Sequence, residues 1–289
     1  MDTRKPFYTI NEDQAHLHVS QGNSKIGRMI WSFSTLPGNE EHMLITAEKG
    51  LLTDVPGTCS RFCESCFGHG CYAVRDAKLR NRTVIPAWGE NTVLLRSGEV
   101  WDQLATFITL KNGKAEKFLD EAHKAGMDPD EALKKAAELA VIKVFRINVS
   151  GEIQNVHELR RWNLLALAHP YIRFGLYTKN FDALAEFLDD GVDFADNLTV
   201  NVSQWAHCAD EFLAKYSWAK LNVFEYCPTN KRNHGLPPEE VERLEALPKC
   251  PAVTRAGHHA KKADGTDLTC SDCENCYRKT GRHIAVWSH

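Results

Sequence analysis

The chain has 289 residues, 43% of them hydrophobic and 25% charged, with 35 Lys+Arg against 38 Asp+Glu for a net charge of −3. These values exclude a disordered chain, and no apolar run reaches the roughly 18–20 residues of a membrane span. No apolar core follows MDTRKPFYTINEDQ, so a signal peptide is not expected, and the charge argues against non-specific grip on duplex DNA.

In chain order, residues 1–50 read as strands and loops, with IGRMIWSFSTLP (26–37) as a strand ended by Pro37-Gly38. YAVRDAKLRNR (72–82) reads as a short basic helix. Residues 99–140 read as helical: WDQLATFITL has an apolar face, a turn follows at Gly126, and DPDEALKKAAELA has Asp128 as N-cap and Pro129 at the first helical position. After residue 140 strands and helices alternate. Strands are expected at 141–149, 171–178, 198–205 and 221–227, and helices at 156–168, 181–190, 209–219 and 237–247. Such alternation means βαβ units and a parallel sheet, so the expected fold is α/β, a TIM-like or partial (β/α) barrel. The chain divides into an N-terminal segment (1–50), the barrel (51–249) and a cysteine-rich C-terminal segment (250–289).

The expected strand ends are polar: Asn148-Val149-Ser150-Gly151-Glu152, Thr178-Lys179-Asn180, Ser203-Gln204 and Cys227-Pro228-Thr229-Asn230. Loops at the C-terminal ends of parallel strands converge on one mouth and carry the active site. Asn201 and Ser203 share a strand face. Arg146 lies inside an otherwise apolar strand and requires a partner, an internal carboxylate or a ligand. Arg75, Lys78, Arg80 and Arg82 make a basic run, with Lys78 and Arg82 at i,i+4. That run is a solvated face or a contact to phosphates.

Ten cysteines carry the strongest signal. Cys59, Cys63, Cys66 and Cys71 lie within thirteen residues, and Cys250, Cys270, Cys273 and Cys276 lie near the C-terminus. Cys208 and Cys227 stand apart and read as buried small side chains. A disulfide framework is not expected in a reducing compartment, so metal or iron–sulfur binding is the reading. Cys270-x2-Cys273-x2-Cys276 with an upstream Cys250-Pro251 resembles a permuted ferredoxin ligand set. Zinc is the competitor there, with His258 and His259 nearby. Single histidines such as His283 and His289 are weak ligand candidates among thirteen.

Cys59-x3-Cys63-x2-Cys66 has the spacing of radical S-adenosylmethionine (SAM) enzymes. Three thiolates hold three irons of a [4Fe–4S] cluster, leaving the fourth to SAM. Ser150-Gly151-Glu152 is similar to the Gly-Gly-Glu motif that holds the SAM amino group in those enzymes, which makes Ser150, Gly151, Glu152 and Lys179 the expected cofactor-binding residues. Ser65 departs from the aromatic residue usual before the third cysteine. Cys71 or His69 would close the cluster if either bound the fourth iron.

GTCSRFCESCFGHGCYAVRDAKLRNR, FRINVSGEIQN, FGLYTKN, CSDCENC and HIAVWSH together resemble the phage "gene product eighty-eight" proteins, from about residue 50 to the end. The CYA, SGE and YTK tripeptides are the most specific pieces. The resemblance implies a barrel related to radical SAM enzymes, one or two [4Fe–4S] clusters with SAM as a further cofactor, and residence in the cytoplasm of an infected cell. An unidentified substrate, a reductase or ferredoxin donor and nucleic acid are the expected partners, and no membrane is. A redox or structural protein with closed clusters and a zinc module that binds nucleic acid stay open as alternatives.

Overall fold

A computed structural model describes residues 8–22, 26–39, 53–63, 71–204, 209–227, 237–256 and 258–287. The elements are β1 (Ser20–Gln21), β2 (Ile30–Ser32), α1 (Tyr72–Leu79), α2 (Asn81–Ser97), α3 (Val100–Lys111), α4 (Gly113–Lys124) and α5 (Pro129–Leu139). The alternating part follows: β3 (Val144–Ile147), α6 (Val156–Ala168), β4 (Arg173–Thr178), α7 (Phe181–Asp189), β5 (Leu198–Ser203), α8 (Ala209–Lys215), β6 (Asn222–Cys227) and α9 (Pro238–Ala246). A short α10 (Cys270–Cys273) and β7 (His283–Trp287) complete it.

The seven strands form one sheet in the order β1-β2-β3-β4-β5-β6-β7. All neighbours are parallel except β1 and β2. Thus β2, from the first fifty residues, and β7, from the last forty, lie in the same sheet as the alternating strands. The expectation of a TIM-like closed barrel is corrected: the sheet is open, with β1 and β7 as its edges. Eight parallel strands close a TIM barrel, and here a two-residue antiparallel strand ends the sheet on one side.

Strand alternation gives the sheet two unlike faces. Phe145, Ile147, Phe174, Leu176, Leu198, Val200 and Val202 point into the main core, where α6, α7 and α8 supply Trp162, Leu184 and Phe212. The other face carries Val144, Arg146, Gly175, Tyr177, Asn201 and Ser203, and the C-terminal segment covers it. Tyr277 packs with Ile26, Ile30 and Val144 and lies against Gly175, where an added Cβ would sit 2.4 Å from its ring. Asn201 Nδ2 donates to the Leu176 carbonyl and to the Cys276 carbonyl, both at 3.0 Å.

Three helices, not two, fill 99–140. Asp128 caps α5 as expected, accepting from Asp130 N and Glu131 N at 3.0 Å each. The unexpected stop is at buried Asn112. Its Oδ1 accepts from Val141 N at 2.9 Å and Ile142 N at 2.8 Å, and its Nδ2 donates to the Ile142 carbonyl at 3.1 Å. One side chain thus breaks α3 from α4 and satisfies the backbone entering β3. Asn112→Leu strands these groups, so its expected cost in chemical denaturation is about 2–4 kcal/mol. The basic run also differs from expectation: α1 ends at Leu79 and Arg82 belongs to α2. Lys78 and Arg82 therefore do not share one helix face, and Arg80 pairs with Asp76 at 2.8 Å.

Candidate functional site

Cys59 follows an extended loop tied to the end of β2. Thr58 N donates to the Leu36 carbonyl at 3.0 Å, Cys59 N to the Gly38 carbonyl at 2.9 Å, and Gly38 N to Cys59 Sγ at 3.1 Å. A single 3-10 turn, Arg61–Cys63, then docks on the start of α7. Arg61 makes two bonds of 3.0 Å to Asp182, and Phe62 meets Phe181 edge-on. This places Cys63 beside Lys179, the residue after β4. Hydrogen bonding to Cys63, with burial, holds the Cys59 thiol well above its usual range, and the Cys71 sulfur adds to that. The same bond lowers Cys63; burial opposes the shift and Lys179 assists it. The two thiols thus act on each other electrostatically, with Cys59 shifted up and Cys63 shifted down. Cys66 lies outside the described residues, as do Ser65 and His69.

The end of β3 turns sharply into this loop. Asn148 and Gly151 have positive φ, +52° and +81°. Thr35 N donates to the Ser150 carbonyl at 3.0 Å. The Thr35 and Thr58 hydroxyls are 2.7 Å apart, and Glu152 N donates to Thr58 Oγ1 at 2.9 Å. Ser150-Gly151-Glu152 is thus latched to the residue preceding Cys59. Glu152 is buried, not a solvated loop carboxylate. Its oxygens accept from Ile153 N at 3.0 Å and Lys179 N at 2.8 Å. Burial pushes its carboxyl above the usual range against the pull of Lys179. Burial also pushes nearby Glu158 up to about 7. Glu158 accepts from Gln154 N at 2.8 Å and Trp162 Nε1 at 3.2 Å.

Between the two cysteine groups lies a row of polar side chains from β3 and its end, at alternate positions. Arg146 Nε, both polar atoms of Asn148 and Ser150 Oγ are buried without a hydrogen-bond partner. The guanidinium of Arg146 sits 4.5 Å from the Tyr177 ring centre. Burial acts to lower Arg146, electrostatic interaction with Tyr277, Tyr72, Tyr177 and Cys270 acts the other way, and the net direction is upward. Of the two partners expected for Arg146, an internal carboxylate or a ligand, no carboxylate pairs with it among the described residues; aromatic rings and the Cys270 thiol surround it. Buried polar groups ordinarily find partners, so this row is where a polar ligand would be held.

The C-terminal group closes the other side. Thr269 and Asp272 form a capping box on α10, and Ser271 N and Oγ both donate to the Ile26 carbonyl at 2.9 Å. Cys250 N donates to the Ala285 carbonyl at 2.8 Å. Burial pushes the Cys276 thiol up to about 12, with Cys250 and Cys270 adding to the shift. Cys250 and Cys270 thus lie within electrostatic reach of Cys276, and Cys273 is the last residue of the short helix that Cys270 begins.

Other candidates have structural duties. Asn201 and Ser203 are buried on the face beneath the C-terminal segment. Cys227 is buried against Leu244, Ala285 and Trp287. His283 pairs with Glu225. His258 is exposed, and His259 Nδ1 is buried without a partner. Cys208, His289 and residues 228–230 lie outside the described residues. The sequence reading used Tyr72 and Tyr177 only as parts of the CYA and YTK tripeptides and passed over Tyr277. It also passed over His16, His18 and Glu90, which the described residues bring together with their ligand atoms within 4.8 Å of one another.

Fold and site define an α/β protein with an open, mostly parallel sheet. On one face of that sheet Cys270 and Cys276 lie near the buried Arg146. The chain belongs to the Gene product 88 family, whose model it matches over residues 13–279. This is the family that the CYA, SGE and YTK segments resemble. No curated protein matches the chain, and no solved structure does. Among the described residues, no helix is long and apolar enough to cross a membrane.

Proposed function

We propose that this protein is a phage iron–sulfur protein of the radical SAM type, with a partial (β/α) barrel, acting in the host cell. In this reading Cys59, Cys63 and Cys66 hold an open [4Fe–4S] cluster, and Cys250, Cys270, Cys273 and Cys276 hold an auxiliary one. The observation that carries it is convergence: Cys63 lies in the field of both Lys179 and Glu152, at the C-terminal ends of β3 and β4. Ligands of open α/β sheets bind at that edge. The donor set fits: thiols on one side, unpartnered Ser150 Oγ and Asn148 on the other.

When bound, the cluster and SAM supply an electron and a sulfonium whose cleavage yields a carbon radical. The chain's own residues do the positioning. Glu152, fixed by two backbone N–H groups, holds the Ser150–Glu152 turn in shape. Lys179 offers a positive charge to a carboxylate. A reductase or ferredoxin of the host is the electron source this scheme requires.

A second reading is favoured by one contact: Cys71 lies close enough to Cys59 to raise its pKa. Cys71 would then bind the fourth iron, and the protein would be a redox or structural iron–sulfur protein without SAM. Purification without oxygen, with iron and sulfide counts and reduced EPR spectra with and without SAM, separates these. The open-cluster reading expects about eight irons per chain and a spectrum changed by SAM. It expects Cys66→Ala to abolish that change and Cys71→Ala to preserve it. Loss of the N-terminal cluster in Cys71→Ala would establish the closed form. Zinc in place of iron would withdraw both and turn attention to nucleic acid as ligand.

A further inference from the structure

His16 and His18 alternate on an extended stretch before β1, so both rings point the same way. Both meet Glu90 of α2. His16 Nδ1 lies 2.8 Å and His18 Nε2 3.0 Å from the same oxygen, Glu90 Oε2. The His16 backbone N–H donates to that oxygen as well, at 3.1 Å. The two imidazole rings are 4.3 Å apart, centre to centre. Three nitrogens thus address one carboxylate oxygen, which has two lone pairs.

A metal ion resolves the crowding. With a divalent cation between the three side chains, each imidazole turns a lone pair to the ion. Oε2 then gives one lone pair to the ion and the other to the His16 N–H. Every group is satisfied once. Around a tetrahedral ion with ligands at about 2.0–2.2 Å, ligand atoms sit about 3.3–3.6 Å apart. The two contacts to Glu90 Oε2 need to open by about 0.3–0.8 Å. His16 has room to do this, because its side chain is 69% exposed.

The backbone that carries the histidines is held in place independently. His18 N donates to Asn91 Oδ1 at 2.9 Å, Asn91 Nδ2 donates to the His18 carbonyl at 2.8 Å, and Leu17 N donates to Gln103 Oε1 at 3.0 Å. Asn91 Nδ2 also donates to the Ser34 carbonyl at 2.8 Å, tying the arrangement to the chain leaving β2. Leu17, between the histidines, packs against the main core. A site built on anchored elements loses little freedom on binding, which favours affinity.

We infer that His16, His18 and Glu90 form a binding site for a first-row divalent cation of the zinc type, with a fourth position open to water. Two imidazoles and a carboxylate suit Zn²⁺ by ligand chemistry. The ion would clamp the segment before β1 onto α2. The site shares no residue with the cysteine groups, so it stands whether or not those bind iron.

The test uses the full chain, purified without oxygen and freed of loosely held metal, titrated with Zn²⁺ against a chromophoric chelator and separately with Co²⁺. Wild type should bind one more Zn²⁺ than His18→Ala or Glu90→Gln, with affinity at that site falling at least tenfold to a hundredfold on loss of a ligand. Co²⁺ there should give ligand-field bands without thiolate charge transfer, lost in the same variants. His16→Ala, at a solvent-exposed position, serves as a third variant whose folding is not at issue. Equal Zn²⁺ stoichiometry in wild type and all three variants would overturn the site. So would Co²⁺ spectra that only cysteine substitutions change.

Discussion

Gly151→Ala is expected to destabilise the protein by about 2–5 kcal/mol, read as a lowered denaturant midpoint at unchanged slope. Two costs add. At φ +81° a Cβ carries the left-handed penalty, about 1–2 kcal/mol. The Cβ would also fall 1.8 Å from Thr35 Oγ1 and 2.5 Å from Thr58 Oγ1. Both threonines are buried, and overpacking of that kind costs about 1–3 kcal/mol. Thr58 also accepts from Glu152 N and immediately precedes Cys59, so the strain is delivered to the cysteine loop. The proposed N-terminal cluster should therefore lose iron in this variant before the C-terminal one does. Thr35→Ala removes the nearest obstacle. The double variant should be less destabilised than the sum of the singles by at least about 1 kcal/mol. Strict additivity would mean that Gly151 and Thr35 are not packed in this way.

Gly175→Ala should have its effect on the opposite side of the site. Its Cβ would lie 2.4 and 2.6 Å from two carbons of the Tyr277 ring, where ordinary contact is about 3.5–4.0 Å. The ring has nowhere to go without its backbone, because the neighbouring Cys276 carbonyl is held by Asn201 and the Arg278 carbonyl by Asn222. The expected result is release of the C-terminal segment. Proteases should cut within residues 274–282, and the iron assigned to Cys250, Cys270, Cys273 and Cys276 should be lost while the N-terminal group keeps its own. The flanking residues Phe174 and Leu176 face the helical core, so the sheet itself should persist. Gly175→Ala/Tyr277→Ala restores the space and should be less protease-sensitive than Gly175→Ala, falling short of wild type only by the packing of the lost ring. Full protease resistance and iron content in Gly175→Ala alone would refute the packing described.

Much of the chain after residue 140 is legible from pattern because its signals are local. The run VFRI, the apolar spacing of 156–168 and the Asp128-Pro129 helix start each act within a few residues. The two cysteine groups and the SGE strand end are likewise visible as spacings, and the family follows from them. The short β7 escaped notice because HIAVW is five residues long and is set by pairing with β6, more than fifty residues earlier. The break at Asn112 escaped because it is set by hydrogen bonds to Val141 and Ile142, about thirty residues on. No periodicity encodes such a bond.

By itself, then, the sequence determined the alternation of strands and helices after residue 140, the parallel sense of those strands and the polar residue types at their ends. Only the tertiary structure decided that the sheet stays open, that the C-terminal segment lies on its second face, and that Arg146 Nε, the Asn148 amide and Ser150 Oγ are buried without hydrogen-bond partners. It also joined His16 and His18 to Glu90, more than seventy residues away. The physical reason is common to all of these. Helix and strand periodicity follow from backbone geometry between near neighbours, whereas burial and side-chain pairing depend on which surfaces meet once the whole chain has packed.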